Sequence, residues 1–599
     1  MRKFWLVNTL FVLCALFCTQ AFASCTGAHP NWTSTIDQTS VLACISSASS
    51  GDTINVGAGT ATWTAVTWGG KDLSLIGAGS ANSIITCASG GCAGFDESTG
   101  GSRISGFTFN EGSGDYLQIT GSAGWRLDHN TIARTFWDIG ILMYGEFTAG
   151  TYFPEEGLID HNKITYSRID FQGEDTSRGG RDAWALPMRM GTSHAVYVED
   201  NNLLLPDGST ITGASVFGNT TDCNLGGRMV VRFNTMVGGR FEHHGLQGEN
   251  QDGCMLFEYY NNTMTNTNIN ITNATCSAGT VTLTLASPAA DAGFELNASM
   301  LVSGVNPSGY NTGTGITTPV TNVSGNTVQY SKSCPGAYVS GGSAQLPNFR
   351  PFLIRGGSGL IFHNTSDGLF LNNGLYIDSD RANEDSIASQ VPNWQFCDGT
   401  LRSTYLTVPG NLGGGTTTYP ANKTILIDGA GTGGYPCRDQ LGTATNTGGA
   451  LWDYTTTPPT QTLQPAYFWR NTQPGGEIPV TVSCETPGDT LCTNQNANIL
   501  LQNRDFYTYN ASFNGTSGIG EGTLISRPST CTTGVGYWAT DQGNWNQSGN
   551  GAGQGEFFQC SSTNTWTLFY EPYTYPDPLQ GSASTVNYAP AAIMLSRLQ

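Results

Sequence analysis

Hydrophobic and polar positions along this chain fall into a recurring six-residue pattern. An apolar residue, two variable positions, asparagine, one variable position and a second apolar residue follow in order. It reads Leu127-Asp-His-Asn130-Thr-Ile132, Ile159-Asp-His-Asn162-Lys-Ile164, Val198-Glu-Asp-Asn201-Asn-Leu203, Val231-Arg-Phe-Asn234-Thr-Met236 and Tyr259-Tyr-Asn-Asn262-Thr-Met264. Later copies are Ile361-Phe-His-Asn364-Thr-Ser366, which loses its last apolar residue, and Phe370-Leu-Asn-Asn373-Gly-Leu375. Each copy predicts a short strand, a bend at asparagine and a second strand, because asparagine tolerates the left-handed backbone of a sharp bend. The asparagines at 130, 162, 201, 234 and 262 lie 32, 39, 33 and 28 residues apart. A motif at that period implies one layer stacked on the next, with amides able to hydrogen-bond between layers.

The next bend, Asn364, comes 102 residues after Asn262. Within the gap, Thr280 to Leu285 and Asn326 to Tyr330 alternate with period two, separated by Pro, Gly, Ser and Thr. An inserted β-domain over 276–346 accounts for about 70 residues and leaves the ordinary spacing, with the stack resuming at Phe352. The chain thus divides into a leader (1–23), a first stacked part (24–275), the insert, a second stacked part with long Gly/Thr/Pro-rich loops (347–528) and a C-terminal aromatic-rich module (529–599) placed to cap the open end. The fold class is all-β.

Composition supports short strands and turns over long helices: 599 residues carry 78 glycines, 11% aromatic residues and only 12% charge. The leader has Arg2 and Lys3, an apolar run over 4–17 and a small-x-small site at Ala21-Phe22-Ala23, the form of a secretory signal. The run is too short for a membrane span. Cys14 and Cys18 lie in it, so fourteen of sixteen cysteines remain, an even number suited to disulfides in an exported chain. Local pairing gives Cys25–Cys44, Cys87–Cys92, Cys223–Cys254, Cys276–Cys334, Cys397–Cys437, Cys484–Cys492 and Cys531–Cys560. Formal net charge is −20, and −22 once Arg2 and Lys3 leave. That balance disfavours nucleic acid and anionic lipid as partners.

Strand–Asn-bend–strand repeats at this spacing resemble the right-handed parallel β-helix proteins, including pectate lyases. Gly51-Asp-Thr-Ile, Leu75-Ile-Gly-Ala-Gly79 and Ser105-Gly-Phe-Thr-Phe109 are similar to the opening coils of that superfamily, and the resemblance covers roughly 40–275 and 347–525. It implies a solenoid fold, which by itself hosts lyases, hydrolases, adhesins and spikes alike. Leu186-Pro187-Met188-Arg189-Met190-Gly191-Thr-Ser-His194, with Asn201-Asn202 downstream, resembles the Arg-Pro-x-x-Arg-x-Gly-x-x-His segment of pectate lyases. By that match Arg189 is the catalytic base, His194 stands beside it, and calcium is the implied cofactor. Leu186 stands where the family has its first arginine, and the spacing to Arg189 is one residue short.

Uronate β-elimination needs a base for the sugar C5 proton and a cation for the carboxylate. Lys163, Arg168, Arg178, Arg181, Arg189, Arg228, Arg232 and Arg240 concentrate basic charge in the same layers as His129, His161, His194, His243 and His244. Asp160-His161, repeating Asp128-His129 one layer earlier, offers metal ligands or, alternatively, bonds to the turn. Arg240, Glu242 and His244 share one strand face by period two and form the densest polar group, a candidate catalytic set or a structural corner. Trp137, Tyr144, Arg181 and Trp184 are candidates for substrate binding. The expected function is a secreted protein that binds or cleaves extracellular polysaccharide, in the form of a lyase on uronate glycans. The alternative is a non-catalytic surface, adhesin or filament protein, for which self-assembly follows.

Overall fold

The computed structural model describes residues 24–378 apart from 89, 97–100, 122, 149–150, 175–179, 206–217, 246–251, 290–293, 295, 314–316, 347–349 and 371–373; beyond them it describes 406–409, 416–419, 441–446, 461–483 and 500–581 apart from 549–553. The leader, Asn373 and the pairs Cys397–Cys437 and Cys484–Cys492 lie outside these residues.

The chain is predominantly β, built on two long sheets of 13 and 19 strands. In the first, Leu73–Gly77, Arg103–Ser105, Ala123–Asp128, Glu156–Asp160, Val196–Glu199, Arg228–Arg232, Leu256–Tyr260, Ser358–Phe362 and Ala466–Trp469 follow in order, each parallel to the next. Each of the repeat's strands runs through the asparagine bend into a strand of the second sheet, such as Lys163–Gln172 or Thr235–Gly238. Inward residues such as Leu127, Ile159, Val198, Val231, Tyr259, Ile361 and Phe468 fill the core between the sheets. No helix among the described residues is long and apolar enough to cross a membrane.

The bend differs from the expectation in one respect. The residue before asparagine takes the left-handed backbone: His129, His161, Asp200, Phe233, Asn261, His363 and Arg470 have φ between 54° and 57°. Asparagine itself is turned inward and buried. Asn130 N donates to Asn162 Oδ1 (2.9 Å), Asn162 N to Asn201 Oδ1 (2.9 Å), and the ladder continues through Asn234, Asn262 and Asn364 to Asn471. Each Nδ2 from Asn130 to Asn364 also donates to the next layer's Oδ1. A side chain bridging two layers must point between them, which leaves the positive φ to its exposed neighbour.

Asn262 bonds Asn364, and Leu256 is in register with Ser358, so the chain leaves and returns between adjacent layers. The excursion is an antiparallel seven-stranded sheet with its own core of Val281, Leu283, Met300, Val302, Val328 and Tyr330, stapled by Cys276–Cys334. It takes in Thr267–Ser277 and so begins upstream of residue 276. Disulfides also join Cys25–Cys44, Cys87–Cys92, Cys223–Cys254 and Cys531–Cys560.

The C-terminal module, a four-stranded sheet from Ile519–Gly522 to Thr565–Tyr570, packs along the flank of the first sheet instead of capping its end. Outward-facing Leu158, Tyr197, Val230, Tyr260, Phe362 and Trp469 form an apolar strip that this module covers with Trp538, Trp545, Phe557 and Tyr570. Tyr260, Phe362 and Trp469 stack ring on ring at 4.7 and 4.4 Å. Beyond the module, the 573–580 segment is clamped to the sheet. Arg232 donates to the carbonyls of Tyr573 and Thr574, Arg126 to those of Leu579 and Gln580, and Glu199 accepts from Asp577 N.

Asp577 is buried here, and burial, with Glu199 adding repulsion, pushes its carboxyl from 3.8 up to about 7. The folded chain therefore keeps a proton that the unfolded chain releases near pH 4. Stability is full below pH 4 and falls as pH rises through 7, by up to about 4 kcal/mol from this group. The thermal midpoint of Asp577→Asn is expected to depend less on pH between 5 and 8 than that of the parent. Parallel pH profiles would reject this role for Asp577.

Candidate functional site

The densest array of ionisable side chains among the described residues lies on the outward face of the second sheet. Alternation along Lys163–Gln172, Asn219–Asn224 and Arg240–His243 sends Phe171, Cys223, Phe241 and His243 inward and Arg168, Asp170, Asp222, Arg240 and Glu242 outward. Parallel register places Asp170 beside Asp222, and Thr221 beside Phe241 carries the alignment to the next strand.

Arginines and a histidine cross-link the carboxylates. Arg168 donates to Asp170 (2.6 Å) and Asp222 (2.9 Å). Arg240 donates to Glu242 (2.6 Å) and Asn219 (2.8 Å), while Arg355 approaches Glu242 at 2.8 Å. His244 spans the group, with Nδ1 2.7 Å from Asp222 and Nε2 3.3 Å from Glu242. The side chains of His244 and Arg168 keep 12% and 17% exposure against 1% for Glu242, so solvent meets the cluster at these two.

The carboxyls are driven apart. Burial raises Asp170, reinforced by Asp222 and only partly offset by Arg168. Burial also opposes ionisation of Asp222, but His244 and Arg168 outweigh it and hold this group well below the ordinary range. At Glu242, Arg240 and Arg355 overcome burial in the same way. Inward of this face, burial and the neighbouring His244 push His243 down to about 3.

Arg240, Glu242 and His244 are brought together, and Tyr144 joins their face. Leu142 and Tyr144 align with Asp170 and Gln172, and Tyr144 is half-buried with its hydroxyl 2.6 Å from Gln118 Nε2. Arg168, Asp170, Asp222 and Arg355 complete the array although no motif marks them.

The other candidates go elsewhere. Arg189 is exposed on the first-sheet side, at φ 55°, and does not approach Glu242 or His244. His194, on the same side, has Nδ1 2.8 Å from Glu156. Trp184 is fully buried, donating to the carbonyl of Gly253 (2.8 Å), and cannot stack on a sugar. Arg181 and Trp137 have placed backbones, in the helix Arg181–Trp184 and the strand Thr131–Tyr144, but their side chains lie outside the description.

Asp160 is no metal ligand here: both oxygens take the Arg126 guanidinium (2.8 and 2.7 Å), and one also meets His161 Nδ1 (2.8 Å). His161 instead stacks on His129, 5.0 Å apart and 3° from parallel. Asp222, Glu242 and His244 have ligand atoms within 4.8 Å of one another, yet Arg168, Arg240 and Arg355 already neutralise the carboxylates. A calcium ion would have to displace those arginines, so the set does not fit it.

The sequence matches no protein-family model, and no curated protein or solved structure matches it either.

Proposed function

We propose that this chain is an exported right-handed parallel β-helix protein that acts on extracellular polysaccharide, with the Asp170–Asp222–Glu242–His244 face as its reactive site. The observation that carries the reading is the split between neighbouring carboxyls. Asp170 is shifted above the ordinary carboxyl range and Asp222 below it, the direction of split that separates a general acid from a general base. Tyr144, on the same face, offers a ring on which a sugar can stack. Three arginines beside three carboxylates make the site locally neutral on a chain of net charge −20, which suits an acidic glycan better than the rest of the surface does.

The purified chain is incubated with neutral and uronate glycans, following reducing ends and unsaturated product. Cleavage that falls at least a hundredfold in Asp170→Asn and Asp222→Asn, but not in Arg189→Ala, is the expected result. Unsaturated ends would mark elimination; reducing ends alone would mark hydrolysis. Activity that survives both cluster variants and falls in Arg189→Ala would move the site to the first sheet.

A second reading is supported by the saturation of the network, in which every carboxylate already meets an arginine. It makes the chain a non-catalytic rod that binds glycan or assembles with itself. No turnover on the panel, with ordered fibres under the microscope, would favour it.

A further inference from the structure

Directly inward of the charged face, His243 projects into the core. It is completely buried, and neither ring nitrogen has a hydrogen-bond partner. The edge of Phe257 lies against it at 4.7 Å between centroids. An imidazole taken out of water without any compensating bond is destabilising, so a buried orphan of this kind calls for an occupant or a role. Its neighbours supply one. His244 N donates to Cys223 O, which seats His243 beside Cys223, and Cys254 comes in from the turn ahead of Leu256–Tyr260. The two sulfurs and a ring nitrogen of His243 all lie within 4.8 Å of one another, and all three residues are buried.

We propose that Cys223, Cys254 and His243 form a buried site for a soft divalent cation such as zinc whenever the Cys223–Cys254 disulfide is open. Thiolate and imidazole are the donors such ions prefer. Two thiolates, a neutral imidazole and a divalent cation sum to zero charge, which a dry core tolerates. One coordination position remains for a small ligand. The bonded disulfide and the bound cation exclude each other, since each needs both sulfurs. Opening takes two electrons and two protons; with a phosphine reductant, water supplies the protons and the phosphine leaves as its oxide. Binding then releases the two thiol protons to buffer. Because the site has no exposed atom, the cation enters while the chain folds.

The full chain is refolded under a phosphine with Co²⁺ as the probe, alongside the Cys223→Ser/Cys254→Ser double variant and His243→Phe. The parent is expected to retain one more equivalent than the double variant, with a thiolate-to-cobalt charge-transfer band. His243→Phe should weaken binding at least tenfold and shift the visible bands, and oxidised parent should take up none. Equal stoichiometry in parent and double variant, or unchanged binding in His243→Phe, would overturn the proposal. Should the double variant not refold, alkylation of reduced parent refolded with and without Zn²⁺ decides. Shielding of Cys223 and Cys254 by zinc supports the site; shielding confined to other cysteines refutes it.

Discussion

Asn201→Ala is expected to lower the unfolding free energy by roughly 3–5 kcal/mol. The side chain is buried and occupied on every side. Its Nδ2 donates to the carbonyls of Ile159 and Glu199 and to Asn234 Oδ1, and its Oδ1 accepts from Asn162 N and Nδ2. Truncation orphans backbone groups on two layers and the Asn234 side chain on a third, where no water can replace the amide. Asn201→Asp separates the two halves of the interaction. It keeps the acceptor for Asn162 but loses donors and adds a buried charge, so it should be no better tolerated than alanine. The check is the urea midpoint by far-ultraviolet circular dichroism. A loss below 1 kcal/mol in Asn201→Ala would mean that the ladder is an ornament of the bend and not one of its causes.

Arg232→Met should free the C-terminal segment while leaving the stack folded. The guanidinium is fully buried, and it holds Glu199 (2.6 Å), the Tyr260 hydroxyl (2.9 Å) and the carbonyls of Tyr573 (2.6 Å) and Thr574 (2.9 Å). Methionine keeps much of the volume but leaves Glu199 a buried carboxylate without its cation, a loss of about 3–5 kcal/mol. The Glu199 carboxylate still accepts from Asp577 N and Gln580 Nε2, so the damage falls on the strap. Limited proteolysis is expected to cut Arg232→Met after the four-stranded module at a rate at least tenfold above the parent. The double variant Arg232→Met/Glu199→Leu should recover part of the loss, because no buried charge is stranded. Equal cleavage rates in parent and Arg232→Met would show that aromatic packing alone holds the segment.

The layered organisation was legible because the asparagine pattern is local: six residues carry the apolar anchors and the amide. Asn471 escaped because Phe468-Trp-Arg-Asn471-Thr-Gln ends on a polar residue, although Ile361-Phe-His-Asn364-Thr-Ser366 had already shown that this position is dispensable. The left-handed residue was placed one position late, since the tolerance of asparagine for that backbone hid the stronger demand on its side chain. Within the candidate site, period two was enough to unite Arg240, Glu242 and His244. Their partners were not legible because layers differ in length. Asp170 and Glu242 stand eight residues beyond their asparagines, but Asp222 stands twenty-one beyond Asn201, and Arg355 follows the insert. Trp184 was misread because burial of an aromatic on a short helix leaves no local mark. Arg189 was placed by motif alone, without any requirement that its partners share its face.

The antiparallel body between Asn262 and Asn364 has a further consequence. Thr267 pairs with Leu346, so the departing and returning strands run side by side at its base. The chain's ends at that point are already brought together, and joining them by a short turn would add little loop-closure entropy. The body is in this sense a detachable appendage on a spine that does not need it. Excision between these strands should leave a chain that still folds, and the same seam offers a place to graft a foreign domain at fixed height along the stack.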